Sequence, residues 1–263
     1  MPKAFKIKQS RQSIFDYWRA HANPDLSQYA SLLAEQPILN AAGELLKGTA
    51  FVIFNHAIGT WEYVSEELAN LSGYSVARHR EEGFNLTFKY THPDYSDFTF
   101  QGCHALTFEY LYSLPAAQRK DVSFTKDFLY LINEKEYVRV LQKGMVLEMN
   151  AQGGIVKTLH LISVISHLKK NNSANLIIKT PEGAFTIYSY DAAVKTITLL
   201  GTLNKREKEI FVLLARGLST NKIAELLFLS KHTVDTHRRN LLNKYNCVNT
   251  TALVTYAKLI GFI

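Results

Sequence analysis

The side chains best suited to chemistry lie near the carboxyl end, between Lys222 and Lys244. His232, Asp235, Thr236, Arg239 and Asn243 recur at spacings that bring them to one side of a helix turning about 100° per residue. Val234, Leu241 and Tyr245 fall on the other side, where they can pack. The polar set suits base edges in a DNA major groove. Arg bonds guanine in a bidentate fork, Asp accepts from cytosine, Asn pairs with adenine, and a Thr methyl sits against that of thymine. Taken alone, this is also the face any amphipathic surface helix presents.

Charge narrows the choice. From Asn204 onward the chain carries +6 of its net +7, a concentration expected of a polyanion-binding module. Competing chemistry is scarce. No Gly-rich phosphate loop, nucleophile elbow or metal-ligand spacing occurs, so an enzyme is not expected. Cys103 and Cys247 are far apart and read as small core residues in a reducing compartment. No apolar run approaches the roughly 18 residues of a membrane span, and the basic opening lacks a signal-peptide core. A cytoplasmic protein without a membrane partner is expected.

The elements that position the polar set are strongly punctuated. Asn204 and Glu207 form a capping box, and Ile210, Leu213 and Leu214 supply the stripe of the helix they open. Gly217 closes that helix. Ser219 caps a second helix that buries Ile223, Ala224 and Leu227; Ser230 caps the third, and Asn249 opens a fourth. Only Phe228-Leu229 separates the second from the third, which suits a tight helix-turn-helix.

This segment resembles the LuxR-type (GerE) helix-turn-helix. The residues that carry the likeness are Arg206-Glu207, Gly217-Leu218-Ser219, Ile223-Ala224, Leu227, Ser230, Thr233-Val234, His237 and Lys244. The resemblance implies base reading by Asp235, Thr236 and Arg239. It implies phosphate contact or helix orientation by Lys222, Ser230, Thr233, His237 and Lys244; His232, Arg238 and Asn243 complete the expected DNA-binding set. Two positions depart from the pattern: Lys222 stands where a capping Glu is usual, and Asp235 where a basic residue is frequent. The fourth helix is the usual dimerisation element, which assigns Leu253, Val254, Tyr256 and Ala257 to a partner subunit. The stripe Leu253, Tyr256, Ala257 and Ile260 exceeds what one small helical core can cover. A second copy is the favoured cover, and the chain's own sensor domain is the alternative.

Upstream, helices are expected over 9–21 and 24–36, making 1–48 a helical extension. Strands over 50–54 and 60–64, helical stretches to about Lys120, and strands over 122–132, 137–148 and 154–167 follow. This order resembles a PAS domain over 49–170. The motifs are Tyr63-Val64-Ser65 with Leu71-Ser72-Gly73-Tyr74, then His92-Pro93-Asp94, then 136–140 with 150–153. Ser65 stands where Asn is usual. Residues 171–203 read as a β-rich connector that either extends the PAS-like sheet or forms a separate relay, and 204–263 as the DNA reader. The expected fold class is therefore an α+β PAS-like sensor followed by an all-α LuxR-type reader.

The resemblance implies that the sensor binds a small molecule, carries a cofactor or only dimerises. Phe51, Phe54, Trp61, Phe84, Phe88 and Phe108 line a pocket or fill a core. Six histidines lie between Thr49 and Lys169; each reads as core or surface before haem ligand, and His92 as structural. No cofactor is identifiable from sequence. The paired acids and phosphorylatable Asp of a receiver domain are absent from the amino-terminal half. The expectation is a homodimeric bacterial transcription regulator that binds double-stranded DNA under a PAS-like sensor, with or without a small-molecule ligand.

Overall fold

The computed structural model describes residues 4–6, 49–169 and 171–262, so the helices expected over 9–21 and 24–36 lie outside the described residues. The strands are β1 (Ala4–Lys6), β2 (Ala50–Asn55), β3 (Thr60–Val64), β4 (Ser123–Ile132), β5 (Glu136–Met149), β6 (Ile155–Val164), β7 (Ala174–Lys179), β8 (Phe185–Asp191) and β9 (Thr196–Thr202). They form one antiparallel sheet in the order β1-β9-β8-β7-β4-β5-β6-β2-β3. β2 to β6 make the PAS-like unit, with its helices inserted between β3 and β4: α1 (Glu66–Ser72), α2 (Val76–Glu82), α3 (Phe84–Tyr90), α4 (Pro93–Asp97), a π-helical turn (Phe98–Gly102) and α5 (Cys103–Ser113). Ser65, the departure from the PAS pattern, caps α1 and accepts the Phe51 N–H at 3.0 Å, so it fastens that helix to β2. His92 caps α4 by accepting from Asp94 N.

The connector extends the PAS-like sheet. β7 pairs with β4 in register Lys126↔Leu176, β8 and β9 follow by hairpins, and β1 closes the far edge on β9. The added strands make β4 and β7 interior strands, covered on both faces, and Leu176-Ile177-Ile178 is the uninterrupted apolar run such a position calls for. Along β4, β5 and β7 successive side chains point to opposite faces. Phe124, Phe128, Val140, Leu176 and Ile178 pack with the inserted helices. Leu141 and Ile177 belong instead to a second core on the other face.

That second core belongs largely to the carboxy-terminal helices α6 (Lys205–Ala215), α7 (Thr220–Leu227), α8 (Lys231–Lys244) and α9 (Thr250–Leu259). Their expected caps are present: the Asn204–Glu207 box, Ser219 on Lys222 N, Ser230 on Thr233 N and Asn249 on Ala252 N. The four-helix reader sits on the sheet. Ile210, Phe211, Tyr245, Leu253, Tyr256, Ala257 and Ile260 share one apolar cluster with Leu141, Ile165, Leu168, Ile177, Phe185 and Ile187 of the sensor. For α9 this packing matches the alternative cover, the chain's own sheet. Leu253, Tyr256 and Ala257 are completely buried and Val254 is half-buried, within the chain itself. The stripe does exceed the core of the four helices, and the sheet of the same chain covers it.

Candidate nucleic-acid interface

The recognition helix α8 is held from beneath by Val234, Leu241 and Tyr245, all fully buried. Its N-terminus is set by Ser230, whose Oγ accepts from Thr233 N at 3.0 Å and lies 2.8 Å from Thr233 Oγ1. The preceding turn passes through Phe228 in the left-handed region (φ 53°), with its ring 95% exposed. From this frame His232, Arg239 and Asn243 project as exposed side chains and Thr236 is half-buried. Arg239 Nη2 reaches Thr236 Oγ1 at 3.4 Å, so these two expected base readers lie side by side.

Other expected contacts are spent within the domain. Asp235 holds Arg238 at 3.1 Å and accepts from Thr220 Oγ1 at 3.4 Å, and Arg238 Nη1 also reaches Thr220 Oγ1. Its carboxylate clips α8 to the start of α7, so its first role in this arrangement is holding the two helices of the motif together. Lys244 is directed at Glu207 (3.0 Å) and at the Thr202 carbonyl, which ties α8 to the capping box of α6. Lys222 is exposed and pairs with Glu225 at 2.9 Å. His237 is half-buried on the helix flank. Lys231 and Asn240, unassigned from sequence, are exposed on the same helix. The signal for Asn240 was present, since it stands four residues from Thr236 and three from Asn243.

On the far side of the sheet lies a cavity of about 70 Å³, lined by Phe54, Trp61, Phe84, Phe100, Phe108 and Phe124 with Lys126, Gln142 and Thr158. Of the aromatics expected to line a pocket or fill a core, Phe51 is buried outside the cavity and stacks on Tyr63 at 5.0 Å. Phe88 packs on Phe100 at 5.1 Å without lining the cavity. Three histidines, His56, His104 and His160, share the lining. Thr158 Oγ1 lies 2.9 Å from both His56 Nε2 and His160 Nε2. Burial pushes the His56 imidazole down to about 3 and holds His104 and His160 well below the usual histidine range, with Lys126 adding repulsion at the latter two. Burial also lowers Lys126, whose ammonium donates to the Thr99 carbonyl at 3.0 Å and meets no carboxylate among the described residues. The cavity is thus an aromatic box of neutral imidazoles with one half-buried lysine. The Cys103 thiol beside it is pushed up to about 12 by burial, which leaves it unreactive as a thiolate. Among the described residues no group of three His, Cys, Asp or Glu can hold a metal ion.

The profile of the family described as bacterial regulatory proteins, luxR family (GerE), matches residues 201–257. Residues 201–257 are a LuxR-type helix-turn-helix domain. Regulators share this part. BvgA of Bordetella pertussis, a transcription regulator of virulence factors, is 40% identical over 68 residues, 26% of this chain and 32% of BvgA. The oxygen regulatory protein NreC of Staphylococcus haemolyticus is 30% identical over 143 residues, 51% of this chain and 63% of NreC. The chain therefore spans between a third and two thirds of these relatives. The family and these relatives are regulatory proteins, not enzymes.

Two solved structures align at low similarity. VqmA of Vibrio cholerae, in a complex with ligand and DNA, is 13% identical with a TM-score of 0.31, covering 87% of this chain and 89% of VqmA. The PAS/PAC sensor domain of a Marinobacter aquaeolei diguanylate cyclase is 14% identical with a TM-score of 0.35, covering 45% of this chain and 95% of that domain. The PAS-like character of the sensor rests here on its own topology: two strands, inserted helices and three strands in one antiparallel sheet. Beside it, the LuxR-type domain keeps the polar face of α8 turned away from the sheet, while the opposite side of the domain is buried against the sensor. No described helix is long and apolar enough to cross a membrane.

Proposed function

We propose that the chain is a sequence-specific DNA-binding transcription regulator, acting as a cytoplasmic homodimer under the control of its PAS-like sensor. The observation that carries this reading is the exposed face of α8, where Arg239, Asn243 and His232 project with Thr236 beside Arg239 on a rigid, capped helix. Base reading falls on Arg239, Thr236, Asn243 and His232, with Asp235 acting through Arg238. Phosphate contact falls on Ser230, Lys231 and Thr233 at the start of α8 and on Lys222 in the first turn of α7. The test is binding selection on randomised duplex DNA with the full chain at two salt concentrations. A defined motif should emerge, and affinity should fall by about 0.9 log units per phosphate contact per tenfold rise in salt. Arg239→Ala should lose about 1–3 kcal/mol and relax the preference at one base position. An unchanged motif in Arg239→Ala removes it from the reading set.

For the sensor, the half-buried Lys126 in the cavity lining, which meets no carboxylate among the described residues, favours a compact ligand carrying an anionic or carbonyl oxygen. A second reading has the sensor as an interaction module with no ligand. It is favoured by the cavity's volume, about 70 Å³, half the roughly 150 Å³ of a cavity that holds benzene. Native mass spectrometry of the purified full chain separates the two, since a retained small molecule supports sensing and a bare dimer supports interaction.

A further inference from the structure

The LuxR-type domain does not rest on the sheet through apolar contact alone. Asp127 of β4 is wholly buried, with Arg139 Nη1 at 2.8 Å and Lys169 Nζ at 3.1 Å. Lys169 Nζ also donates to Asn175 Oδ1 at 3.0 Å and to the carbonyl of Tyr245 at 2.8 Å, so its three protons each have an acceptor. The ammonium lies 4.1 Å from the centre of the Tyr256 ring. Asn175 Nδ2 donates to the Lys244 carbonyl at 3.3 Å. Lys244 and Tyr245 are the last residue and the C-cap of the recognition helix, whose final carbonyls have no partner within the helix. Two side chains of the sensor therefore cap the helix that would enter the groove. Next along the chain, Asn246 donates to the Ser173 carbonyl at 3.1 Å, Val248 N donates to the Leu168 carbonyl at 3.0 Å, and Lys169 bridges Cys247.

The charges fit the same purpose. One carboxylate faces two cations in this buried cluster, leaving a surplus of one positive charge. The carboxyl end of a helix is the negative end of its dipole, and that is where the surplus points. Burial lowers the Lys169 ammonium and Asp127 opposes the shift. With α8 docked, Lys169 is buried and the Tyr245 carbonyl at the helix end is among its acceptors.

We propose that Lys169 and Asn175, backed by Asp127, are positioning residues for DNA recognition: they fix the recognition helix to the sensor, so the sensors set the spacing of the two readers in a dimer. The proposal rests on the homodimeric DNA-binding reading above. It follows from two observations taken together. The stripe Leu253, Tyr256, Ala257 and Ile260 of α9 is packed inside the chain, which fastens the helical domain to the sheet. The recognition helix, in turn, is gripped at its carboxyl end by sensor side chains. A two-fold site demands recognition helices about one DNA turn apart. A recognition helix gripped at its carboxyl end carries the position of the sensor into that distance.

Two variants of the full chain test this. Lys169→Met leaves Asp127 and Arg139 as a neutral buried pair, and Asn175→Ala removes a single side-chain contact to α8. Affinity is measured on duplexes carrying one half-site, and two half-sites at a series of spacer lengths, using the motif selected with the wild type. Thermal melting checks the fold. The expected result is one-half-site affinity within about two-fold of wild type, while the two-half-site affinity falls about ten-fold or more and the optimum in spacer length flattens. A folded variant that keeps the wild-type spacing optimum overturns the proposal. A rise in affinity overturns it too, because the dock is then an inhibitory clamp. Should Lys169→Met fail to fold, Asn175→Ala decides the matter alone. A wild-type chain that binds half-sites with no spacing preference overturns the dimer reading and the proposal with it; one that binds no duplex overturns the DNA reading first.

Discussion

Asp235 shows how much a residue's role depends on a neighbour that sequence spacing cannot rank. Its position on the α8 wheel suits a base edge, yet its carboxylate holds Arg238 at 3.1 Å and Thr220 at 3.4 Å. Asp235→Ala should therefore act first through Arg238, which is freed to meet phosphate. We expect tighter binding to unrelated duplexes with a salt slope steeper by about one contact, in contrast to Arg239→Ala, which weakens the chosen motif. Salt titrations on specific and unrelated DNA check this, and a flat response in both places Asp235 back among the base readers. Lys244 makes the same point: its partner Glu207 lies 37 positions away, a pairing that only the packed helices create. Two buried histidines, His56 of the cavity and His79 of α2 beside Ser72, give a residue-level prediction for pH. The His56 pKa is near 3 when folded against an ordinary 6.5, and that of His79 is near 4, so the unfolded chain binds more protons between those values. Stability from these groups is present above about pH 6.5 and is lost as pH falls toward their folded values. The melting temperature should drop over that window, and His79→Gln should shallow the drop if the fold is kept.

At the scale of elements, the helix punctuation was legible because caps are local. Asn204, Ser219, Ser230 and Asn249 each bond a backbone N–H three residues on, and Gly217 takes the left-handed conformation (φ 82°) at a helix end. The five strands of the PAS-like unit were legible through their apolar alternation. The place of 171–203 was not, because sheet extension and a separate relay need the same short strands. Leu176-Ile177-Ile178 held the clue, since a strand apolar at consecutive positions is covered on both faces. Phe228 is the element-level exception: a bulky residue, almost wholly exposed, at φ 53° where glycine is at ease. Phe228→Gly should stabilise the full chain by roughly 0.5–1 kcal/mol, the relief of left-handed strain outweighing the added freedom of the unfolded chain. Denaturant titration measures it, and an unchanged midpoint would mean the ring contributes packing that its exposure hides.

At the scale of the whole molecule, the docking of the LuxR-type domain on the sensor was the least legible feature. It depends on the outer faces of β4, β5, β7 and β8, which meet α9 only after both domains exist. The caps make residues 202–263 look self-sufficient, and their charge makes DNA binding by that fragment a natural expectation. The packing qualifies it. Leu141, Ile177, Phe185 and Ile187 share one core with Tyr256 and Ile260, and full burial of each such side chain is worth about 1.5–3 kcal/mol. The isolated fragment should show a helical spectrum yet unfold at markedly lower denaturant than the same helices in the full chain, and should self-associate as the bare α9 stripe finds other cover. Circular dichroism with sedimentation tests this. A monomeric fragment as stable as the parent would show that the interface is dispensable to the reader's fold.

β4, β5 and β7 form a party wall. Phe124, Lys126, Gln142 and Leu176 serve the chamber on one side, while Asp127, Leu141, Asn175 and Ile177 serve the tenant on the other. Positions next to each other in sequence thus answer to different selective pressures, one chemical and one architectural. A lineage can retune what the chamber accepts through the even-numbered positions of these strands without touching the odd-numbered ones that hold the reader. A single-residue insertion or deletion in β4 has no such freedom, because it exchanges the two sets and sends Asp127 into the aromatic chamber. Descendants should accordingly vary freely in the wall's composition and hardly at all in its length.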